Sequence, residues 1–231
     1  MCGRYTLSAP DPAAVRARFP VGESVHIRQR FNVAPGDEVL AVTTDREGRA
    51  RGELLRWGLV PSWAQRPDTG LKMINARVET VAQRPAYRPA LERFRCLIVA
   101  DGFYEWQRGP DGRKQAFHII RDDGGLFAFA GLWSTWHDGD GRTLRTCTIL
   151  TTAANTAILP LHDRMPVILE PDAECTWIDH ATTPAELPEL LRGLPPERTA
   201  LRPVGQAVND ARYDGPECLA APVAPSQEAL F

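Results

Sequence analysis

The sequence predicts an α+β fold: a single domain built on a mainly antiparallel, barrel-like β-sheet with short helices. Seven short apolar runs of strand length alternate with the Gly, Pro and Asp residues that are typical of turns. Only four segments show the pattern of a helix, and each of them is short. The chain has 231 residues, of which 43% are hydrophobic and 24% charged, so it has enough apolar material for a sizeable core. Many strands with few short helices indicate the α+β class.

The individual elements follow from these patterns. Strands are predicted at residues 39–44, 53–58, 95–101, 115–120, 126–132, 145–151 and 167–169. Helices are predicted at residues 11–19, 82–93, 153–159 and 185–191. Two turns rich in Asp and Gly, at residues 122–125 and 138–141, predict β-hairpins. The chain becomes rich in Pro, Ala and Gly after Asp210, so we predict a domain over residues 1–210 and a flexible tail over residues 211–231.

Charge and cysteine content narrow the class of protein. The net charge of −2 shows no global basicity of the kind that indicates a nucleic-acid-binding protein, so any such binding must come from local clusters. The five cysteines are odd in number and form no CxxC pair, which argues against a disulfide framework and a structural zinc site. We expect no metal and no cofactor. Because no segment resembles a signal peptide or a membrane span, we expect a cytoplasmic protein without membrane association.

Cys2 is the residue with the most distinctive chemistry. A small residue after the initiator Met usually allows that Met to be removed, and Cys2 would then carry a free α-amine beside its thiol. The two groups have unperturbed pKa values of roughly 7.7–8.0 and ~8.5, so both are partly deprotonated near neutrality. Such a 1,2-aminothiol forms an imine with an aldehyde, and the sulfur can then close a thiazolidine ring. The alternative is an incidental residue in a frayed terminus.

Three other polar residues interrupt apolar or aromatic runs. Glu105 lies between Tyr104 and Trp106, and a carboxylate in such surroundings can exchange protons near neutrality, unless it points to water from an edge strand. His162 is a possible proton shuttle or a structural histidine. Asn75 could orient a carbonyl or hydroxyl group, or it could cap a turn. Each residue taken alone leaves both explanations open.

Six motifs, taken together, are more specific than any single residue. They occur in the order CGRY (2–5), NVAPG (32–36), WGLVP (57–61), NARVET (75–80), GFYEW (102–106) and HDRMP (162–166). In this order and spacing the chain resembles the SRAP family, the SOS-response-associated peptidase proteins that act on abasic DNA. The resemblance extends from Cys2 to about Asn209, nearly the whole predicted domain, and it implies a single SRAP-type domain.

The resemblance implies covalent capture of abasic sites in single-stranded DNA. In this chemistry the α-amine of Cys2 attacks C1′ of the open sugar, and the thiol then closes a thiazolidine that shields the lesion from strand cleavage. Glu105 would assist proton transfer around the amine, and Asn75 would hold the sugar oxygens. His162 would assist ring opening and the reverse reaction, which releases the crosslink. An imine-based lyase reaction could use the same pair of residues.

The resemblance also implies a DNA-binding set. Arg4, Arg77 and Arg164 would bind the phosphates that flank the lesion. Pro35 and Trp63 would support the unstacked bases, and Thr151 would make a further contact to the DNA backbone. The chain departs from the family pattern after Trp63, where Ala64 stands in place of a second tryptophan.

Two further functions remain open from the residues alone. One is a cysteine peptidase with Cys2 as nucleophile and His162 as base, and the other is a non-covalent binder of single-stranded DNA. The last five residues resemble peptides that dock on the bacterial sliding clamp, and the contact residues would be Gln227, Leu230 and Phe231. The alternative is a tail that ends in two hydrophobic residues by chance, because the motif is short. We expect a monomer that associates with the nucleoid at replication forks.

Overall fold

The computed structural model describes residues 2–8, 11–183 and 185–223, and it confirms the α+β fold. Strands dominate these residues, and all helices are short. The strands are β1 (Tyr5–Leu7), β2 (Arg30–Val33), β3 (Glu38–Thr44), β4 (Ala50–Trp57), β5 (Asn75–Arg77), β6 (Arg95–Ala100), β7 (Gly102–Arg108), β8 (Lys114–Arg121), β9 (Phe127–His137), β10 (Thr143–Ala153), β11 (Arg164–Pro166), β12 (Ile168–Leu169) and β13 (Thr199–Val204). The helices are α1 (Pro12–Arg18), α2 (Arg88–Arg93) and α3 (Pro171–Ile178).

Five of the strands close into a barrel, which confirms the predicted architecture. β4 pairs with β3, β3 with β6, β6 with β9 and β9 with β10, all in antiparallel orientation. β10 then pairs in parallel with β4 and completes the circle. The barrel interior is filled by side chains such as Leu55, Ile98 and Phe129, none of which is exposed to solvent. Closure removes the open edges that a flat sheet would present, and it also holds β10 at the centre of the molecule.

The remaining strands attach to this barrel or form a second sheet. β5 and β11 both pair with β10, and β12 pairs with β9. The second sheet is antiparallel, with the strand order β13-β8-β7-β1-β2. Cys2 and Tyr5 belong to the same buried apolar cluster as the barrel interior, so the start of the chain lies where the two sheets meet.

Each of the seven predicted strands overlaps an observed one, but only one predicted hairpin is confirmed. The turn at 138–141 joins β9 to β10, with His137 opposite Thr143. The hairpin predicted at 122–125 is wrong, because this turn leads from β8 in the second sheet to β9 in the barrel. Local turn residues predict a reversal of the chain but do not specify which strands pair.

The helix predictions are partly confirmed. α1 falls within residues 11–19, and the Asp11 side chain caps it by accepting the backbone N–H of Ala13 at 2.8 Å. Of residues 82–93 only α2 is helical, because Pro89 lies in its first turn and turns precede it. The helix at 153–159 is wrong, because Asn155 organises a turn there by accepting two backbone N–H groups. Residues 185–191 contain only the 3₁₀ turn Leu187–Glu189.

Residues 211–219 fold back onto the second sheet. The Asp214 carboxylate accepts the backbone N–H groups of Phe31 and Asn32 at 2.6 and 2.8 Å, and it is ion-paired with Arg30. A 3₁₀ turn, Pro216–Leu219, buries Cys218 completely. Residues 211–219 of the predicted tail therefore contact the domain. The clamp-contact residues Gln227, Leu230 and Phe231 lie outside the described residues.

Gly131 in β9 is required by the packing of the barrel. A Cβ atom at this position would lie 2.8 Å from Cδ1 of Ile98 and 2.9 Å from Sγ of Cys96. Gly131→Ala is therefore expected to lower the free energy of unfolding by about 1–3 kcal/mol, as overpacked cores usually do. Urea denaturation measures this change.

Gly139→Ala at the tip of the β9–β10 hairpin is the matched control, because a Cβ there meets nothing within 4 Å. It should change stability by less than about 0.5 kcal/mol. Adding Ile98→Val to Gly131→Ala removes the nearest clashing atom and should recover part of the loss. Equal effects of the two glycine substitutions would contradict this account of the barrel interior.

Candidate functional site

Pairing between the start of the chain and β7 places Cys2 beside Glu105. In the antiparallel ladder Tyr5 lies opposite Phe103, and the backbone N–H of Tyr104 donates to the Arg4 carbonyl at 3.0 Å. Continuing this register towards the start of the chain brings the first residues alongside Glu105 and Trp106. The local sequence supports the arrangement, because β7 supplies the aromatic residues that bury the strand.

Asn75 reaches the same point from the barrel. β5 runs parallel to β10 with Asn75 opposite Ile149, and the Asn75 side-chain amide donates to the Cys2 carbonyl at 2.7 Å. Its other side-chain atom, Oδ1, is buried and has no hydrogen-bond partner among the described residues. Buried polar atoms are normally paired, so this oxygen is able to accept a further hydrogen bond.

Glu105 is buried beside Cys2, and this placement rules out the solvent-facing alternative. Only 4% of the residue is exposed, and β7 is an inner strand of its sheet. Burial raises the pKa of the Glu105 carboxyl, and the charge of His162 opposes this rise. A carboxyl with a raised pKa holds a proton closer to neutrality and can serve as a general acid or base.

The Cys2 thiol lies in an environment that favours its neutral form. Cys2 has no exposed surface, and its Sγ donates to the Arg4 carbonyl at 3.7 Å. Burial raises the pKa of the thiol well above its usual range, and the negative charge of Glu105 adds to the rise. The register of β7 and the hydrogen bond from Asn75 bring Cys2, Asn75 and Glu105 together. β11, which begins two residues after His162, pairs with the same end of β10 as β5, so His162 completes the candidate site.

His162 is held by its own backbone neighbourhood just before β11. The backbone N–H of Arg164 donates to Nδ1 of the ring at 2.9 Å, and the Asp163 carboxylate lies 2.8 Å from the same nitrogen. The hydrogen bond from Arg164 requires a lone pair on Nδ1, whereas Asp163 favours a proton there, so the two contacts favour different protonation states of this nitrogen. The side chain is 31% exposed, so it borders solvent.

Arg4 keeps a positive charge at the site, and no carboxylate in the described part of the chain is bonded to it. Its guanidinium donates at 2.9 Å to Oδ1 of Asn32 and at 2.9 Å to the Val208 carbonyl. Both acceptors are neutral, and burial lowers the pKa of Arg4. A half-buried cation bonded to neutral oxygens remains attractive to an incoming anion.

Arg164, by contrast, is already engaged by a carboxylate. Its two terminal nitrogens donate to Oε1 and Oε2 of Glu79 at 2.6 and 2.9 Å, and one of them also contacts the Thr151 carbonyl. This bidentate pair lowers the pKa of Glu79. Thr151 is fully buried, and its hydroxyl donates to the Ala76 carbonyl at 3.5 Å.

The other predicted DNA-binding residues lie at the surface. Arg77 is exposed at the end of β5, which also carries Asn75, and Pro35 is half-buried in the turn between β2 and β3. Trp63 is 68% exposed, which is unusual for so large an apolar side chain. The structure therefore leaves Arg77 and Trp63 open to a ligand, whereas Thr151 and Arg164 are enclosed.

Sequence reasoning missed two residues that hold the predicted arginines. Asn32 is 1% exposed; it accepts from Arg4, and its amide group donates to the carbonyls of Asp210 and Tyr213 at 2.9 and 2.8 Å. Glu79 holds Arg164 through both oxygens. Asn32 lies in the motif NVAPG and Glu79 in the motif NARVET. Their presence as polar residues in these motifs was the only sequence signal that could have identified them.

The described residues contain neither a metal-binding cluster nor a membrane-spanning helix. Within the described residues, no cluster of three or more His, Cys, Asp or Glu side chains is arranged to bind a metal ion. No helix in the described part of the chain is both long and apolar enough to cross a membrane.

Comparison with known proteins identifies close relatives. A model of the SOS response associated peptidase (SRAP) family matches residues 1–211. The abasic site processing protein YoaM of Bacillus subtilis is 40% identical over 227 residues, which cover 96% of this chain and 98% of YoaM. The abasic site processing protein YedK of Escherichia coli is 32% identical over 233 residues, which cover 95% and 99% of the two chains. A crystal structure of a protein from Bacteroides thetaiotaomicron, 21% identical, has a TM-score of 0.83 over 96% of this chain and 100% of that chain, which shows a shared fold.

The tautomer of His162 is a direct test of the site geometry. Neutral His162 is expected to carry its proton on Nε2, because Nδ1 accepts the Arg164 backbone N–H. Long-range proton–nitrogen correlation spectra at alkaline pH distinguish the two tautomers, and His162→Gln identifies the signals by their loss. A proton on Nδ1 in the neutral ring would show that Asp163, rather than the Arg164 backbone, controls the ring.

Proposed function

Because the chain belongs to the SOS response associated peptidase family, we propose that it processes abasic sites in single-stranded DNA, by forming a thiazolidine crosslink through Cys2. The names of YoaM and YedK, abasic site processing proteins, support the general activity. The observation that carries the covalent mechanism is the hydrogen bond from Asn75 to the Cys2 carbonyl beside the buried carboxyl of Glu105. It holds the backbone of the proposed nucleophile next to a group able to transfer protons.

The first proposed step is attack by the α-amine of Cys2, once Met1 has been removed. The amine nitrogen adds to C1′ of the ring-opened abasic sugar, and the aldehyde oxygen becomes a hydroxyl group. The unpartnered Oδ1 of Asn75 is suited to accept a hydrogen bond from a sugar hydroxyl. His162, which borders solvent, is suited to assist the opening of the sugar ring.

Loss of water then converts the carbinolamine into an imine. The departing hydroxyl needs a proton, and the nitrogen lone pair forms the new C=N bond. Glu105 is the proposed acid, because its raised pKa keeps a larger fraction of the carboxyl protonated near neutrality. An ordinary surface glutamate would be almost fully ionised at the same pH.

Ring closure by the thiol completes the crosslink. Sγ adds to C1′ of the imine, the thiol proton is transferred to the nitrogen, and one water has been released overall. Because burial and the charge of Glu105 keep the thiol neutral, the amine is the first nucleophile and the sulfur the second. Reversal needs the same proton transfers in the opposite order, and His162 and Glu105 are the groups proposed to assist it.

The charges around the site support a nucleic-acid substrate. Among the described residues Arg4 is bonded only to neutral oxygens, and Arg77 is exposed, so both can bind phosphate oxygens. Exposed Trp63 offers a flat surface on which an unstacked base can rest. The Arg164 guanidinium, which Glu79 holds in position and which also contacts Thr151, is proposed to complete the phosphate contacts.

The site does not favour the peptidase alternative. A cysteine nucleophile of a peptidase reacts as a thiolate, and its pKa is usually lowered by a neighbouring cation. The pKa of the Cys2 thiol is instead raised. Among the described residues, its Sγ makes a single hydrogen bond, which it donates to the Arg4 carbonyl. His162 makes its contacts with Asp163 and Arg164.

The crosslink is expected to depend on both functional groups of Cys2. Processed protein mixed with single-stranded DNA that contains one abasic site should give a band of lower mobility on a denaturing gel, and Cys2→Ala should not. Cys2→Ala keeps the α-amine, so borohydride should still trap its imine. Protein with an uncleavable extension before Cys2 should give neither product, and intact mass spectrometry checks the removal of Met1. A heat-stable band from Cys2→Ala without borohydride would refute the proposal.

Glu105→Gln is expected to slow imine formation by about a hundredfold, because a positioned general acid typically contributes 10²–10⁴-fold. In the unsubstituted protein, the rate should fall as the pH rises through the raised pKa of Glu105, because the carboxyl loses the proton it must donate. Glu105→Gln should lack this descending limb. Borohydride trapping of the imine across a pH series measures the step before sulfur reacts, so an altered thiol cannot account for the result.

Glu23→Gln is the matched control for Glu105→Gln. It makes the same substitution at a glutamate whose side chain is 93% exposed and is paired with Arg16, and it should leave the descending limb in place. An unchanged pH profile in Glu105→Gln would remove Glu105 from the proton-transfer step.

A further inference from the structure

A groove at the far end of the barrel is not part of the site described above. It has a volume of about 830 Å³ and opens where β3 ends and where β6 and β10 begin. Arg145, which lines it, precedes Ile149 by four residues on β10, and Ile149 is opposite Asn75. A strand rises about 3.3 Å per residue, so the groove begins roughly 13 Å from the proposed catalytic centre.

The floor of the groove is aromatic. The rings of Phe94 and Trp133 pack edge to face, with their centroids 4.9 Å apart, and Phe94 is 40% exposed. The Arg145 guanidinium lies over the Trp133 ring at 4.3 Å from its centroid. Partly exposed rings next to a cation form the kind of surface on which nucleic-acid bases stack.

The rim of the groove is positively charged. Arg46, Arg51 and Arg93 line it and are exposed. Two nearby carboxylates have partners outside the groove: Asp45 is bonded to Arg49 at 3.0 Å and Glu92 to Arg88 at 3.1 Å. Glu53 is paired with Arg145 and with Arg51, which it partly neutralises. Within the part of the chain that the structure describes, Arg46 and Arg93 make no ion pair, so their charges are available to phosphates.

A second, smaller groove lies between this surface and Trp63. It has a volume of about 300 Å³, shares Phe94, Trp133 and Thr135 with the first groove, and extends to Pro61 and Trp63. Trp63 is the exposed residue proposed to support a base beside the lesion. The two grooves therefore adjoin at Phe94 and Trp133, and together they form a path that extends from Trp63 to the arginine rim.

We propose that single-stranded DNA on one side of the lesion continues past Trp63 into this path, with a base stacked on Phe94 and phosphates bound by Arg46 and Arg93. This inference rests on the proposed function, because the same strand must pass through both sites. The combination of aromatic floor and arginine rim suits a single strand, since stacking needs bases that are not already paired. Binding would extend the footprint of the protein well beyond the abasic nucleotide.

The test compares abasic oligonucleotides with different flanks. A short one has about three nucleotides on each side of the lesion, and two others are extended by about eight nucleotides on the 5′ or on the 3′ side, a length within the range that single-strand sites cover. Arg46→Glu/Arg93→Glu should bind the short oligonucleotide normally and bind only one of the extended ones more weakly. For that oligonucleotide, the slope of log affinity against log salt concentration should become shallower by about 0.7 for each phosphate that the variant no longer binds. Phe94→Ala should weaken binding of the same oligonucleotide about tenfold.

The matched control is Arg108→Glu/Arg202→Glu, which reverses two exposed charges on the second sheet and should not distinguish the flanks. Weaker binding of every oligonucleotide alike, or of none, would overturn the proposal. So would an effect seen only when the extension is double-stranded, because the groove would then bind a duplex. Undamaged oligonucleotides tested with Cys2→Ala separate this result from the proposed chemistry: if no crosslink forms but the flank effect persists, only the proposed function fails.

Discussion

Closure of the barrel through β10 is the constraint on which the site depends. β10 completes the circle by pairing with β4 and β9, and its last residues also pair with β5 on one side and β11 on the other. β5 carries Asn75 and Arg77, and β11 begins at Arg164, directly after His162 and Asp163. One strand thus sets the spacing between groups that lie almost ninety residues apart in sequence. The opposite end of the same strand carries Arg145, which lines the aromatic groove. β10 therefore fixes the position of this groove relative to the candidate site.

Burial at the meeting point of the two sheets explains why the site has unusual acid–base properties. The same desolvation raises the pKa of the Cys2 thiol and of the Glu105 carboxyl, and each group in its charged form would disfavour ionisation of the other. A site of this kind holds protons rather than releasing them. Imine chemistry needs an acid that assists the loss of water and a thiol that stays neutral until the imine has formed. The site suits this chemistry better than it suits attack by a thiolate on a peptide bond.

The class of the fold could be predicted from sequence because strand-length apolar runs and turn residues are local signals. Pairing could not, since β8 and β9 are joined by a short turn yet belong to different sheets. β7 escaped prediction as a strand because its polar and aromatic residues do not alternate simply, although Glu105 stood out as a candidate site residue. The four candidate catalytic residues were singled out through motifs. Asn32 and Glu79 also lie inside motifs, but a supporting hydrogen bond leaves no pattern that distinguishes them from the other polar residues there.

The contrast between Arg4 and Arg164 separates two ways of presenting a cation to DNA. A phosphate that approaches Arg4 meets a guanidinium bonded to the neutral oxygens of Asn32 and Val208, so the new charge pair needs no exchange of partners. A phosphate that approaches Arg164 must share or displace Glu79, which holds the guanidinium through two hydrogen bonds. Arg164 is thereby fixed in place next to His162 before any ligand arrives, at the expense of affinity. Arg4 is therefore suited to attract the strand and Arg164 to position it, and the two roles follow from the partners of each arginine rather than from the residue type.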